Sequence, residues 1–163
     1  MKEGKLQIYC GNGKGKTTAA IGQAIREASK GRSVFIVQFL KGKQEEEISF
    51  IKRLEPEIKL FRFQKREEAF ENLTEQEKEE EIPNLKNGLN FARKVLATGE
   101  CDVLILDEVL GLPEREIATL EELHSLLEAA ENTDLIFTGI RLYPEMLEWA
   151  GEVYEISVLK ESE

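Results

Sequence analysis

The sequence predicts a three-layer α/β domain with a mostly parallel sheet. Three observations carry the prediction. Short β-branched and aromatic runs alternate with stretches of helical period along the chain. Two of the runs, Val34-Phe35-Ile36-Val37 and Val103-Leu104-Ile105-Leu106, are continuously apolar, as strands covered on both faces are. An earlier short run, Leu6-Gln7-Ile8-Tyr9, ends in a glycine-rich turn that opens directly into a helix.

The totals fit one domain, residues 1–163, long enough to bury a full core. Hydrophobic residues make up 41%, and the formal charge is −10. That charge argues against a general nucleic-acid binder, which needs a basic face, although Lys14, Lys16, Lys41 and Lys43 can form a local basic patch. No apolar leader and no 18-residue apolar run is present, which predicts a cytoplasmic protein that does not enter membranes. The two cysteines, Cys10 and Cys101, lack metal-ligand spacing and read as free thiols in a reducing compartment.

In chain order, residues 5–10 read as the first strand. The helix from Thr17 to about Lys30 carries Ala20, Ile21, Ala24, Ile25 and Ala28 as a narrow stripe, and Gly31 ends it. Residues 33–40 form the second strand. Lys41-Gly42-Lys43 leaves it at its carboxyl end, where loops of open α/β sheets line the ligand crevice. A short helix is expected over 45–54 and a third strand over 58–63. Residues 65–81 are strongly charged with no clear apolar face, reading as a solvated helix or an active-site loop. Pro83 punctuates that segment, and Leu85, Leu89, Ala92, Val95 and Leu96 then give a helix of good period. Thr74-x-x-Glu77 and Thr119-x-x-Glu122 both read as capping boxes. Strands at 134–138 and 152–158 complete the sheet, with a short helix over 144–150 between them. His124, the only histidine, lies among acids on the helix after Thr119 and reads as a solvated side chain.

The chemistry is concentrated in Gly11-Asn12-Gly13-Lys14-Gly15-Lys16-Thr17-Thr18. The glycines allow backbone N–H groups to curl around an anion, and the helix N-terminus adds free donors and partial positive charge. Lys16 supplies a full charge for terminal phosphates, and the Thr17 hydroxyl a ligand for magnesium. The spacing is one residue shorter than usual, and Cys10 stands where the first glycine normally falls. Far downstream, Leu106-Asp107-Glu108 places two acids at the carboxyl end of a buried strand, the position that supplies a carboxylate to magnesium in phosphate-loop proteins. Asp107-Glu108 also suits an ATPase, in which such a glutamate activates water.

These residues resemble the ATP:corrinoid adenosyltransferases of the phosphate-loop type. The loop from Gly11 to Ala20 resembles theirs in its shortened spacing. Val37-Gln38-Phe39-Leu40-Lys41-Gly42 resembles their second strand and its exit, and Leu106-Asp107-Glu108 and Thr138-Gly139 follow in the same order. The resemblance runs from about Gly4 to Val158. It implies a RecA-like phosphate-loop NTPase fold, a homodimer, and transfer of the 5′-deoxyadenosyl group of ATP to a reduced corrinoid with release of triphosphate, in cobalamin biosynthesis or salvage. The implied partners are ATP with Mg2+, the corrinoid, and a cobalt-reducing electron donor such as a flavoprotein.

The resemblance gives Lys16 and Glu108 as catalytic residues. Thr17, Asp107 and Glu108 are the metal set, with the glycine-rich loop, Lys41, Phe70 and Arg141 holding the substrates. Two local departures are visible. The arginine after Thr138-Gly139 is displaced by one residue, to Arg141, and the aromatic stretch after the third strand is reduced to Phe70. Phe70 is therefore the candidate contact to the corrin. Cobalt(I) is itself a strong nucleophile, so a chain without a histidine or cysteine pair suffices. The alternative reading is an ATPase or an ATP-binding carrier without adenosyl transfer.

Overall fold

The computed structural model describes residues 5–42 and 50–162. Most of the helix expected over 45–54, and Lys43, lie outside those residues. Six strands form one parallel sheet: β1 (Leu6–Cys10), β2 (Val34–Gln38), β3 (Ile58–Arg62), β4 (Val103–Asp107), β5 (Asp134–Thr138) and β6 (Glu152–Glu155). Their order is β3-β2-β4-β5-β1-β6. Among the described residues the helices that run along the sheet are α1 (Lys16–Ser29), α2 (Glu75–Thr98) and α3 (Leu120–Ala129), and the short α4 (Met146–Trp149) precedes β6.

The layers follow from side-chain alternation on the strands. Val103 and Ile105 of β4 face one way and join Ala20 and Ala24 of α1, together with Val34, Ile36 and Ile136. Leu104 and Leu106 face the other way and join Leu85, Leu89, Ala92 and Val95 of α2 and Leu123 and Leu126 of α3. A strand buried on both faces is apolar along its length, which is why β4 reads as an unbroken run up to Asp107 at its end. The alanines of α1 let that helix lie close to the sheet. Gly31, at φ +83°, takes the left-handed conformation that stops it.

The acidic segment differs from its sequence reading. Residues 65–81 are not one unit. A loop with a single 3-10 turn at Phe70–Asn72 comes first, and α2 then starts at Glu75. Thr74 makes a full capping box: Glu77 N–H donates to Thr74 Oγ1 at 3.2 Å, and Thr74 N–H donates to Glu77 Oε1 at 2.9 Å. That cap starts the helix early, and α2 continues through Pro83, which lies inside it. Burial of one face of α2 against the sheet outweighs the donor lost at the proline. At Thr119 the cap is simpler: its hydroxyl accepts from Glu122 N–H at 3.1 Å, and the hydroxyl, not the backbone, approaches the Glu122 carboxylate. β6 is shorter than expected, because at Ile156 the chain leaves the sheet to pack behind the phosphate loop.

Candidate active site

The glycine-rich loop connects β1 to α1. Gly11 and Gly15 sit at φ +111° and +107°, where a β-carbon is strained. Gly11 and Gly13 also have no room for one: a Cβ would lie 2.3 Å from Ile156 O at Gly11 and 2.9 Å from Ile156 Cγ2 at Gly13. Part of the loop's donor set is already used. Gly13 N–H donates to Ile156 O at 2.9 Å and Gly11 N–H to Ile140 O at 3.0 Å. Those two amides hold the loop in shape and do not face an anion. The donors for an anion come from the later loop residues and the first turn of α1, which a helix leaves without internal acceptors. Lys16 is largely buried and curls over its own loop, Nζ donating to Gly13 O at 2.9 Å. Asn12 and Lys14 are exposed beside it.

The strand order decides what faces Thr17. Because β5 lies between β1 and β4, its last residue sits between the loop and the acids. Thr17 Oγ1 donates to Asp107 Oδ1 at 2.9 Å, across 90 residues of sequence. Thr138 Oγ1 donates to the same oxygen at 2.6 Å and accepts from Glu108 N–H at 2.8 Å. Gln38 Nε2 donates to Asp107 Oδ2 at 3.2 Å. Thr138 and Gln38 thus position the acids. The sequence by itself gives neither residue a role. A polar residue ending a buried strand, beside another strand that ends in an acid, is the signal that identifies them.

Lys41 reaches the same centre. Its Nζ lies 3.0 Å from Asp107 Oδ2 and 4.0 Å from Glu108 Oε1, and it also donates to Thr17 Oγ1. Glu108 has a backbone φ of +65° and a side chain turned partly to solvent. Burial, and then the Asp107 charge, push its carboxyl above the ordinary glutamate value, while Lys41, Lys16 and Arg115 oppose the rise. Among the described residues no cluster of three acids, histidines or cysteines forms a closed metal cage. A hydroxyl and two carboxylates form an open, hard-oxygen set. Such a set suits magnesium, which keeps waters and substrate phosphate oxygens as its other ligands.

Two residues expected at the site stand apart from the cluster of Thr17, Lys41 and the acids. Phe70 is 4% exposed and packs in the core beneath the loop, so its ring offers no face to a corrin. Its position follows from its backbone, whose N–H donates to Leu40 O at 2.9 Å and anchors the turn. Arg141 is exposed on the loop after β5, its guanidinium 4.6 Å from the Tyr143 ring centroid and 4.0 Å from Glu114 Oε2. The residue before it, Ile140, accepts from Gly11 N–H of the phosphate loop. Cys10 and Cys101 are both free and buried, with burial pushing both thiols up, Cys101 to about 12. Neither is a ready nucleophile.

The profile described as ATP:corrinoid adenosyltransferase BtuR/CobO/CobP matches residues 2–162. The chain belongs to this family. The corrinoid adenosyltransferase of Escherichia coli K12 is 32% identical over 160 residues, spanning 98% of this chain and 79% of that protein. The corrinoid adenosyltransferase CobA of Salmonella typhimurium LT2 is 30% identical over the same shares. In structure, the KaiC-like protein PH0186 of Pyrococcus horikoshii OT3 aligns with a TM-score of 0.62 at 17% identity, covering 99% of this chain and 76% of the other. That likeness establishes the fold alone, a parallel α/β architecture. Among the described residues no helix is long and apolar enough to cross a membrane.

Proposed function

We propose that this adenosyltransferase moves the 5′-deoxyadenosyl group of ATP onto the cobalt of a reduced corrinoid and releases triphosphate. The C5′–O bond to the α-phosphate breaks as a cobalt–C5′ bond forms. The electron pair comes from cobalt(I), and the triphosphate leaves with the pair of the broken bond. The observation that carries this reading is the cluster of Lys16 and Thr17 of the phosphate loop with Lys41 and the Asp107–Glu108 pair, in a chain of the corrinoid adenosyltransferase family. The acceptor brings the nucleophile, so the protein's task is to bind, orient and neutralise the leaving group.

In this reading Lys16 leaves Gly13 O to pair with the phosphate chain, and the N–H groups at the start of α1 bind beside it. Gly11, Gly13 and Gly15 shape the turn, and Asn12, Lys14 and Thr18 flank the bound phosphates. Thr17, Asp107 and Glu108 hold magnesium, which would supply charge neutralisation to the triphosphate. Thr138 and Gln38 fix the carboxylate geometry. The protein works as one domain and as a homodimer in a reducing compartment, with a separate electron donor reducing the cobalt. The loop after β3 and Arg141 are the parts of the crevice rim nearest an incoming corrinoid, while Phe70 supports that loop from below.

The test is an anaerobic incubation of the protein with magnesium, ATP and chemically reduced cobalamin, read by visible spectrum and phosphate products. Adenosylcobalamin together with triphosphate is the expected result. ADP and phosphate, with no change in the cobalt spectrum, would overturn it.

A further inference from the structure

Lys41 sits where the preceding reading places a metal ion. Its ammonium is 3.0 Å from Asp107 Oδ2, 4.0 Å from Glu108 Oε1, and bonded to Thr17 Oγ1. These are the oxygens assigned to magnesium, and the inference rests on that assignment. Asp107 is 1% exposed, and a carboxylate so buried needs a compensating charge at hand. Lys41 supplies that charge. An ammonium and a divalent cation repel, and they cannot occupy the same ligand set.

We propose that Lys41 is a built-in competitor of the metal. It neutralises the acidic pair in the resting protein and is displaced when the metal arrives with ATP. Metal alone then binds poorly, because it must evict a charge already in place. Metal and nucleotide bind together more readily, because the phosphates offer the evicted ammonium a new partner. The two ligands are thereby coupled through one side chain.

The surroundings confine the movement to that side chain. Arg62 Nη1 donates to Lys41 O at 2.5 Å, and Lys41 N–H donates to Phe39 O at 2.8 Å. Gly42 lies so close to the loop after β3 that a Cβ there would be 2.9 Å from both Ala69 N and Glu67 O. The backbone at Lys41 is therefore clamped on both sides. A lysine suits the task, being a compact charge on a flexible stem, whereas a planar guanidinium holds a carboxylate in a fixed fork.

The experiment is a titration of the full chain with Mn2+, following free Mn2+ by electron paramagnetic resonance, with and without ATP. Wild type, Lys41→Met, Lys41→Arg and Thr17→Ala are compared, with circular dichroism of each to confirm folding. Lys41→Met is expected to bind Mn2+ without nucleotide about tenfold more tightly than wild type. Lys41→Arg, which keeps the charge, is expected to leave nucleotide-free binding weak. Equal nucleotide-free affinities in wild type and Lys41→Met, with Mn2+–ATP binding still lost in Thr17→Ala, would overturn the proposal and leave the metal site standing. A tightening of the same size in Lys41→Arg would also overturn it, since charge would not be the cause. Mn2+–ATP binding indifferent to Thr17→Ala would instead remove the metal assignment beneath it.

Discussion

At the scale of single residues, the site depends on how Asp107 and Glu108 are held. Thr138 serves both, donating to one carboxylate and accepting from the backbone N–H of the other residue. Thr138→Val keeps the shape and removes both bonds. A loss of about 1–3 kcal/mol in transition-state binding, read as a roughly tenfold or greater fall in kcat/KM for ATP with the fold intact, is expected. Unchanged kinetics would show that the hydroxyl only fills space. Glu108 gives a pH prediction. Its carboxyl is raised in the folded protein, so the ionised form is disfavoured there relative to the unfolded chain. Such a group adds stability below its unfolded value and costs stability as pH rises through its folded value. In metal-free protein, Glu108→Gln should therefore raise Tm at pH 7, with the gain shrinking as pH falls through the raised folded value and gone once pH is below the ordinary glutamate value. The same variant is expected to lose adenosyl transfer. A Tm difference independent of pH would contradict the electrostatic account.

At the scale of elements, two helical glycines separate propensity from packing. Gly22 lies in α1, and a Cβ there meets nothing within 4 Å. Gly22→Ala should stabilise by about 0.5–1 kcal/mol through helix propensity alone. Gly88 lies in α2, where a Cβ would be 2.9 Å from Phe39 Cε1 and 3.2 Å from Phe63 Cδ2. Phe39 is fully buried and cannot swing away, so Gly88→Ala should destabilise by about 1–3 kcal/mol despite the same gain in propensity. Denaturant midpoints of the two variants check the opposite signs. Phe39 ends the strand run that leads to Lys41, so the close approach of α2 at Gly88 also fixes where the crevice wall begins.

At the scale of the whole molecule, the crevice is assembled from four strand ends, those of β1, β2, β4 and β5, and closed from behind by the chain after β6. The loop after β3 joins this arrangement through Arg62, which donates to Lys41 O and to Arg66 O. Arg62 is buried enough that desolvation lowers its pKa, opposed by Glu81 and Glu67. Arg62→Met should loosen the loop against the β2 exit. The expected outcome is a raised KM for the corrinoid with a smaller change in ATP affinity, measured by varying each substrate at saturating levels of the other. Equal effects on both would show that the guanidinium serves only stability.

Much of this was legible in the chain itself. The alternation of apolar runs and helical periods, and the doubly covered β2 and β4, define the α/β class, because burial on both faces leaves a polar residue only at the carboxyl end of each strand. The glycine spacing defines the phosphate loop, since only glycine accepts φ above +100° there and the close approach of Ile156. Local rules also placed the Thr74 cap. What tertiary structure alone decided is which side chains meet. Phe70 has the chemistry of a corrin contact, yet the backbone bond at Leu40 turns it into the core. Pro83 reads as a stop, yet the apolar face of α2, packed on the sheet, carries the helix past it. Thr138 and Gln38 gain their roles only because the order β2-β4-β5-β1 brings their strand ends beside Asp107. Sequence spacing fixes what a residue can do locally. The strand order, set by long-range burial, fixes its neighbours, and Lys41 meets the acidic pair for that reason.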